Sequence, residues 1–331
     1  MAGAAGVPGR RSERAAMARR DERLGLAFAG FCALNGAFVP AVAKLSTARA
    51  DAFFVATATT VLAAGLAALL LGVRGDLPAL GRRPQAGRLF LVGAVGTAAS
   101  FVLFFAGMQR TTAIEGVLCL QIEPAYSLLL AWLFLGHRPT RRRVAAIVVL
   151  LLGITLAVGG RGVSPSSGVW LLLITPLCWQ ASHLIVLRGL RGVSPAVLTG
   201  ARYVYGGAVL VLSWIVVGGP APPAADLAGL VPLLVVQGMV LSYGGTLLWY
   251  QAITRLDLAR GTAIVVPSIP VLSLGVSFVL LGEVPSPAQW VGIALTAAGV
   301  LAFVTAEDAA RRRVPCPTRV AGGADTPDIA G

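Results

Sequence analysis

The sequence predicts an all-α integral membrane protein, ten transmembrane helices arranged as two inverted five-helix repeats with both termini cytoplasmic. Three observations lead there. Hydrophobic residues make up 56% of the 331 and charged residues only 12%, and the mean hydropathy of +0.81 lies outside the range of soluble domains. Apolar runs of about 20 residues, the length that crosses a ~30 Å hydrocarbon core, recur ten times between short polar connectors. The sequence also matches itself at an offset of 146 residues, where Pro124, Ser127, Leu128, Leu135, Gly136 and Pro139 align with Pro270, Ser273, Leu274, Leu281, Gly282 and Pro285.

Residues 1–23 are polar and Arg-rich and lead into the first apolar run, 24–45. That run is longer than a signal-peptide core and has no convincing cleavage site after it, so it reads as an uncleaved helix. Runs at 52–73 and 87–108 follow, and the fourth, 112–135, carries Glu123-Pro124 mid-span. The fifth, 143–160, closes a first repeat spanning 24–160. The second repeat, 161–305, has its runs at 168–187, 196–217, 228–250, 260–282 and 287–305. Residues 306–331 combine Arg311 to Arg313 with Pro315 and Pro317 and are expected to form a disordered cytoplasmic tail able to touch anionic lipid.

Orientation follows from the cations, because cytoplasmic loops retain Lys and Arg. With the N-terminus inside, 22 of the 27 basic residues fall on cytoplasmic segments and only Arg49, Arg110 and Arg161 on external ones; Lys44 and Arg202 lie within helices. A miscount of one helix in the first half would scramble this alternation, which supports an even number of spans. The same distribution accounts for the pI near 11.0 without a nucleic-acid partner, since the charge is spread between apolar runs rather than gathered in one patch. Five helices per repeat is an odd number, so the fourth and ninth helices run in opposite senses. Inverted bundles of this kind can open a central site to either side in turn.

The residues at the repeat match resemble the EamA family of the drug/metabolite transporter superfamily. Leu281-Gly282-Glu283-Val284-Pro285 fits that family's Leu-Gly-Glu-x-Pro signature, and Glu123-Pro124 with Leu135-Gly136-His137-Arg138-Pro139 is the first-half version, with His137 in place of the Glu. Arg202-Tyr203 after Ser194-Pro195 looks like the family's Arg-aromatic element, whereas Ala58 lies at the matching place in the first half. The resemblance covers about residues 24–305. It implies a secondary carrier in the inner membrane, commonly an exporter of amino acids, other metabolites or toxic compounds.

Ionisable groups inside spans cost roughly 2.5–3.5 kcal/mol at a helix centre, so each is a pathway candidate. Helical spacing puts Cys119 and Ser127 on the face of Glu123, with Glu115 nearer the external end. Two readings stand for Glu123: a carboxylate that exchanges a proton or binds a cationic amine, or an acceptor for backbone freed by Pro124 at a kink. Arg202 can pair with a carboxylate, receive an anionic substrate group or tie helices together. Lys44 and Arg188, at equivalent helix ends, are expected to snorkel, and Glu283 and His137 to serve packing or gating.

Asn35 and its near-equivalent Trp179 are the stronger uncharged cavity candidates, followed by Gln180, His183 and Tyr243; Trp249 and Tyr250 lie where an interfacial belt is expected. Alone, His183 reads more often as a hydrogen-bonded structural residue than as a proton relay. Gly206, Gly207, Gly292, Ala298 and Gly299 suit close packing, within one chain or across a homodimer.

No Walker-type loop, Cys/His metal cluster or hydrolase triad occurs in the sequence, so no cofactor and no enzymatic activity are expected. The partners are then a small-molecule substrate and the lipid bilayer, with a homodimer and proton coupling left open. An importer or facilitator and a non-transporting scaffold or sensor are the competing readings. A buried polar cavity at the repeat interface favours transport; a solid apolar centre favours the scaffold.

Overall fold

The computed structural model describes residues 8–136, 138–159, 166–190, 192–256 and 258–312. Among these, ten helices are long and apolar enough to cross a membrane: α1 (Arg19–Thr47), α2 (Ala52–Val73), α3 (Ala86–Arg110), α4 (Ala113–Leu135), α5 (Arg141–Gly159), α6 (Ser167–Gly189), α7 (Pro195–Val217), α8 (Ala224–Trp249), α9 (Ile264–Leu281) and α10 (Pro287–Ala306). The helix of α1 extends back to Pro8. That of α10 runs on to Arg312, so the expected disordered tail begins in helix; residues 313–331 lie outside the described residues.

The helix ends follow local chemistry. Asp51 accepts from the N–H of Phe53 at 2.8 Å to start α2, and Ser194 caps α7 through the N–H of Val197 at 3.3 Å. Ser286 and Gln289 form a reciprocal capping pair at the start of α10. The repeated Leu-Gly signature has a backbone cause: Gly136 and Gly282 hold φ of 69° and 67° just past α4 and α9, a left-handed conformation that costs any residue with a Cβ roughly 1–2 kcal/mol.

Three spans depart from regular helix. In α4 a turn at Gln121 and Ile122 separates an upper half, Ala113–Leu120, from a lower half, Glu123–Leu135. Pro124 has no N–H to give the Leu120 carbonyl, and its ring crowds that carbonyl. The continuous polar stripe expected along α4 is therefore broken between Cys119 and Glu123. In α9, Pro267 and Pro270 are accommodated without a break. Spans α3 and α8 each contain a π-helical stretch, Ala94–Ala99 and Val236–Gly244.

The two halves interlock. Helix α5 packs on α10, α1 on α8 and α9, α6 on α3 and α4, and both α2 and α3 on α7. In lipid such contacts rest on close fit more than on water exclusion. A Cβ on Gly153 would lie 2.8 Å from the Gly292 carbonyl oxygen, and one on Gly292 would lie 2.6 Å from that of Gly153. Gly299 likewise abuts Leu150, Gly206 abuts Thr97, and Gly207 faces Ala64. These small residues thus pack within the chain.

Candidate functional site

The break in α4 makes Glu123 the first residue of the lower half-helix, where a carboxylate complements the helix dipole. Its Oε1 accepts a hydrogen bond from Gln180 Nε2 on α6 at 2.7 Å. His183 sits one turn further along the same face of α6. Glu123 is half-buried and His183 exposed, so neither is sealed among packed side chains.

From α7, Arg202 donates through Nη2 to the carbonyl of Gly96 at 2.9 Å, within the π-helical stretch of α3. Its Nε is buried with no hydrogen-bond partner among the described residues. The guanidinium is within electrostatic reach of Glu123 and His183. No ion pair joins Arg202 to Glu123 among the described residues. An acid, an amide, an imidazole and a guanidinium with an unused donor thus converge from α4, α6 and α7 without neutralising one another directly. Such a set can hold an ammonium at one end and a carboxylate at the other.

Asn35 belongs to a second space. Its Nδ2 donates to the Val240 carbonyl at 3.0 Å, and its side chain sits over Gly245, where a Cβ would collide with it. Together with Phe28, Val240, Leu248, Gln251 and Arg255 it lines an open groove of about 660 Å³ between α1 and the helix that continues α8 to Arg255, apart from Glu123. The other half repeats the arrangement: Ser182 of α6 sits over Gly96 of α3 as Asn35 of α1 sits over Gly245 of α8. Neither Ser182 nor Gly96 was among the sequence candidates. Their only sequence signal is a Gly within the third helix of each half, Gly96 and Gly245.

The remaining candidates are dispersed. Trp179 is half-buried, and its carbonyl accepts from Ser182 Oγ at 2.8 Å. Tyr243 is buried, its ring 5.8 Å from that of Tyr203 in an apolar group with Ala63 and Ala67. Trp249 at the end of α8 packs against the Ala29–Cys32–Ala252 cluster, and the Tyr250 side chain and His137 lie outside the described residues. Lys44 Nζ donates to the carbonyls of Met108 and Gln109 at the end of α3, at 3.1 and 3.2 Å. Arg188 binds the Phe134 carbonyl, with its guanidinium carbon 5.7 Å from the centre of that ring. Among the described residues no group of three or more His, Cys, Asp or Glu is arranged to hold a metal.

Comparison with known proteins matches residues 23–159, and again 166–305, to the EamA-like transporter family. A protein of Streptantibioticus cattleyicolor named as a probable terminal-alkyne amino-acid exporter is 32% identical over 288 residues, covering 84% of this chain and 89% of its own. The uncharacterized transporter YyaM of Bacillus subtilis is 23% identical over 66% of this chain and 73% of its own. A crystal structure with a TM-score of 0.60 and 20% identity covers 89% of this chain and 99% of the other, and speaks to the fold alone.

Proposed function

The chain belongs to the EamA-like transporter family, and on that premise we propose that this multi-pass membrane protein is a secondary exporter of amino-acid-like small molecules in the inner membrane. The observation that carries the reading is the Glu123–Gln180 pair within electrostatic reach of Arg202. An α-amino acid presents an ammonium to the Glu123 carboxylate and a carboxylate to the Arg202 guanidinium, and a cationic amine uses the first contact alone. The name of the Streptantibioticus relative points to the same substrate class.

In this reading the repeats are inverted and both termini are cytoplasmic. The Arg distribution supports that, and so does the exchanged packing of α1 on α8 and of α6 on α3. Alternating access then follows from exchanging the conformations of the halves. Glu123 is the coupling group, taking up a proton when substrate leaves. Asn35, Trp179 and His183 line or frame the path, and one chain is the working unit because the faces carrying Gly153, Gly206, Gly292 and Gly299 are occupied internally. The domain boundaries are 1–23, 24–160, 161–305 and 306–331.

Proteoliposomes test this through counterflow of labelled amino acids and amines with and without an imposed pH gradient. Saturable, gradient-sensitive flux is expected, with Glu123→Gln losing the gradient sensitivity. Flux through Glu123→Gln with unchanged pH dependence removes the coupling role. No flux of any panel member through folded, inserted protein returns weight to a non-transporting scaffold.

A further inference from the structure

The Leu-Gly-Glu-x-Pro segment between α9 and α10 reaches across to the other half of the molecule. Both carboxylate oxygens of Glu283 accept backbone hydrogen bonds at the start of α4, Oε1 from Ala113 at 2.9 Å and Oε2 from Ile114 at 3.0 Å. These N–H groups have no partner within their own helix. The next one, of Glu115, is taken by Thr112 Oγ1 at 3.1 Å in a capping box with the Glu115 side chain. Every free donor in that first turn is therefore satisfied, two of them by a residue 170 and 169 positions away.

Other helix ends gather around the same carboxylate. Lys44 is within electrostatic reach of Glu283 and Glu115 and closes the last turn of α3 through the Met108 and Gln109 carbonyls. Gln109 Nε2 in turn donates to the Thr47 carbonyl at the end of α1, at 3.2 Å. One end of the molecule is thus tied across α1, α3, α4 and the α9–α10 connection. At the position equivalent to Glu283 the first half carries His137, which has no pair of carboxylate acceptors. The tie is one-sided in sequence, and the half-helix it holds ends at the break that carries Glu123.

We propose that Glu283 is a positioning residue that pins the upper half of α4, and through it Glu123, so that its release opens the central site at that end. The proposal rests on the transporter reading for its purpose, but its test does not need a substrate. Cys119 lies in the upper half of α4 between the tie and the break, and is fully buried. The full chain with Cys119 as its only cysteine (Cys32, Cys178 and Cys316 each changed to Ala) is alkylated with a membrane-impermeant maleimide. A companion chain keeps only Cys32, which is buried between α1 and the α8–α9 region.

Glu283→Ala is expected to raise the Cys119 alkylation rate at least tenfold and leave Cys32 unchanged. Glu283→Gln, which retains one acceptor oxygen, should fall between the parent and Glu283→Ala. An unchanged Cys119 rate, or an equal rise at Cys32 and Cys119, overturns the proposal. Lack of flux in proteoliposomes alongside selective Cys119 exposure would count against the transport reading and not against the tie.

Discussion

Glu123 keeps a single hydrogen-bond partner among the described residues, the amide of Gln180, and hydrogen bonds to a charged group are worth about 1.5–3 kcal/mol. Gln180→Ala should therefore weaken substrate by about 10- to 100-fold if the amide orients the carboxylate for binding, read as a rise in the half-saturating concentration for counterflow. An unchanged value would move Gln180 out of the site. Arg202 differs in kind, because one nitrogen is committed to the Gly96 carbonyl while Nε is buried and unspent. A guanidinium can anchor to backbone and receive a ligand at once; a lysine ammonium in its place would lose that planar fork.

At the scale of elements, the contact of α5 with α10 leaves no room for side chains at its crossing. Gly153→Leu or Gly292→Leu places atoms into backbone already within van der Waals reach, an overpacking that costs about 1–3 kcal/mol or more. Either change should lower the midpoint of thermal unfolding in detergent, whereas Gly65→Leu on α2, where a Cβ meets nothing within 4 Å, should not. The spans themselves were legible in the sequence because a lipid-crossing helix needs a long apolar run. The repeated Leu-Gly was legible as a motif, but its cause, a left-handed conformation that glycine takes cheaply, appeared only in the structure. The break in α4 was not legible, since Pro124 and Pro270 occupy matched positions and only the first interrupts its helix. The π-helical stretches were hidden too, as Ala94–Ala99 carries no composition that separates it from ordinary helix. The partners of Lys44 were hidden because they are carbonyls 64 and 65 residues away, which no local pattern announces.

For the whole molecule, the charge asymmetry makes a sidedness prediction. A reporter active only outside the cytoplasm should work when fused after residue 163, between α5 and α6, and fail when fused after Pro139, between α4 and α5; the reverse result would invert the proposed topology. The candidate site itself was half legible. Glu123, Gln180, His183 and Arg202 were readable as polar groups in apolar spans, but their convergence depends on α6 and α7 being neighbours of α4 and α3, which is a property of the assembled bundle. The π-helical stretches bear on history as well as on geometry. A π turn holds one more residue than the α turn it replaces, and at the 146-residue offset Ala94–Ala99 falls on 240–245, overlapping Val236–Gly244. An extra residue at overlapping places in the two repeats is what a single insertion preceding the doubling of a five-helix unit would leave.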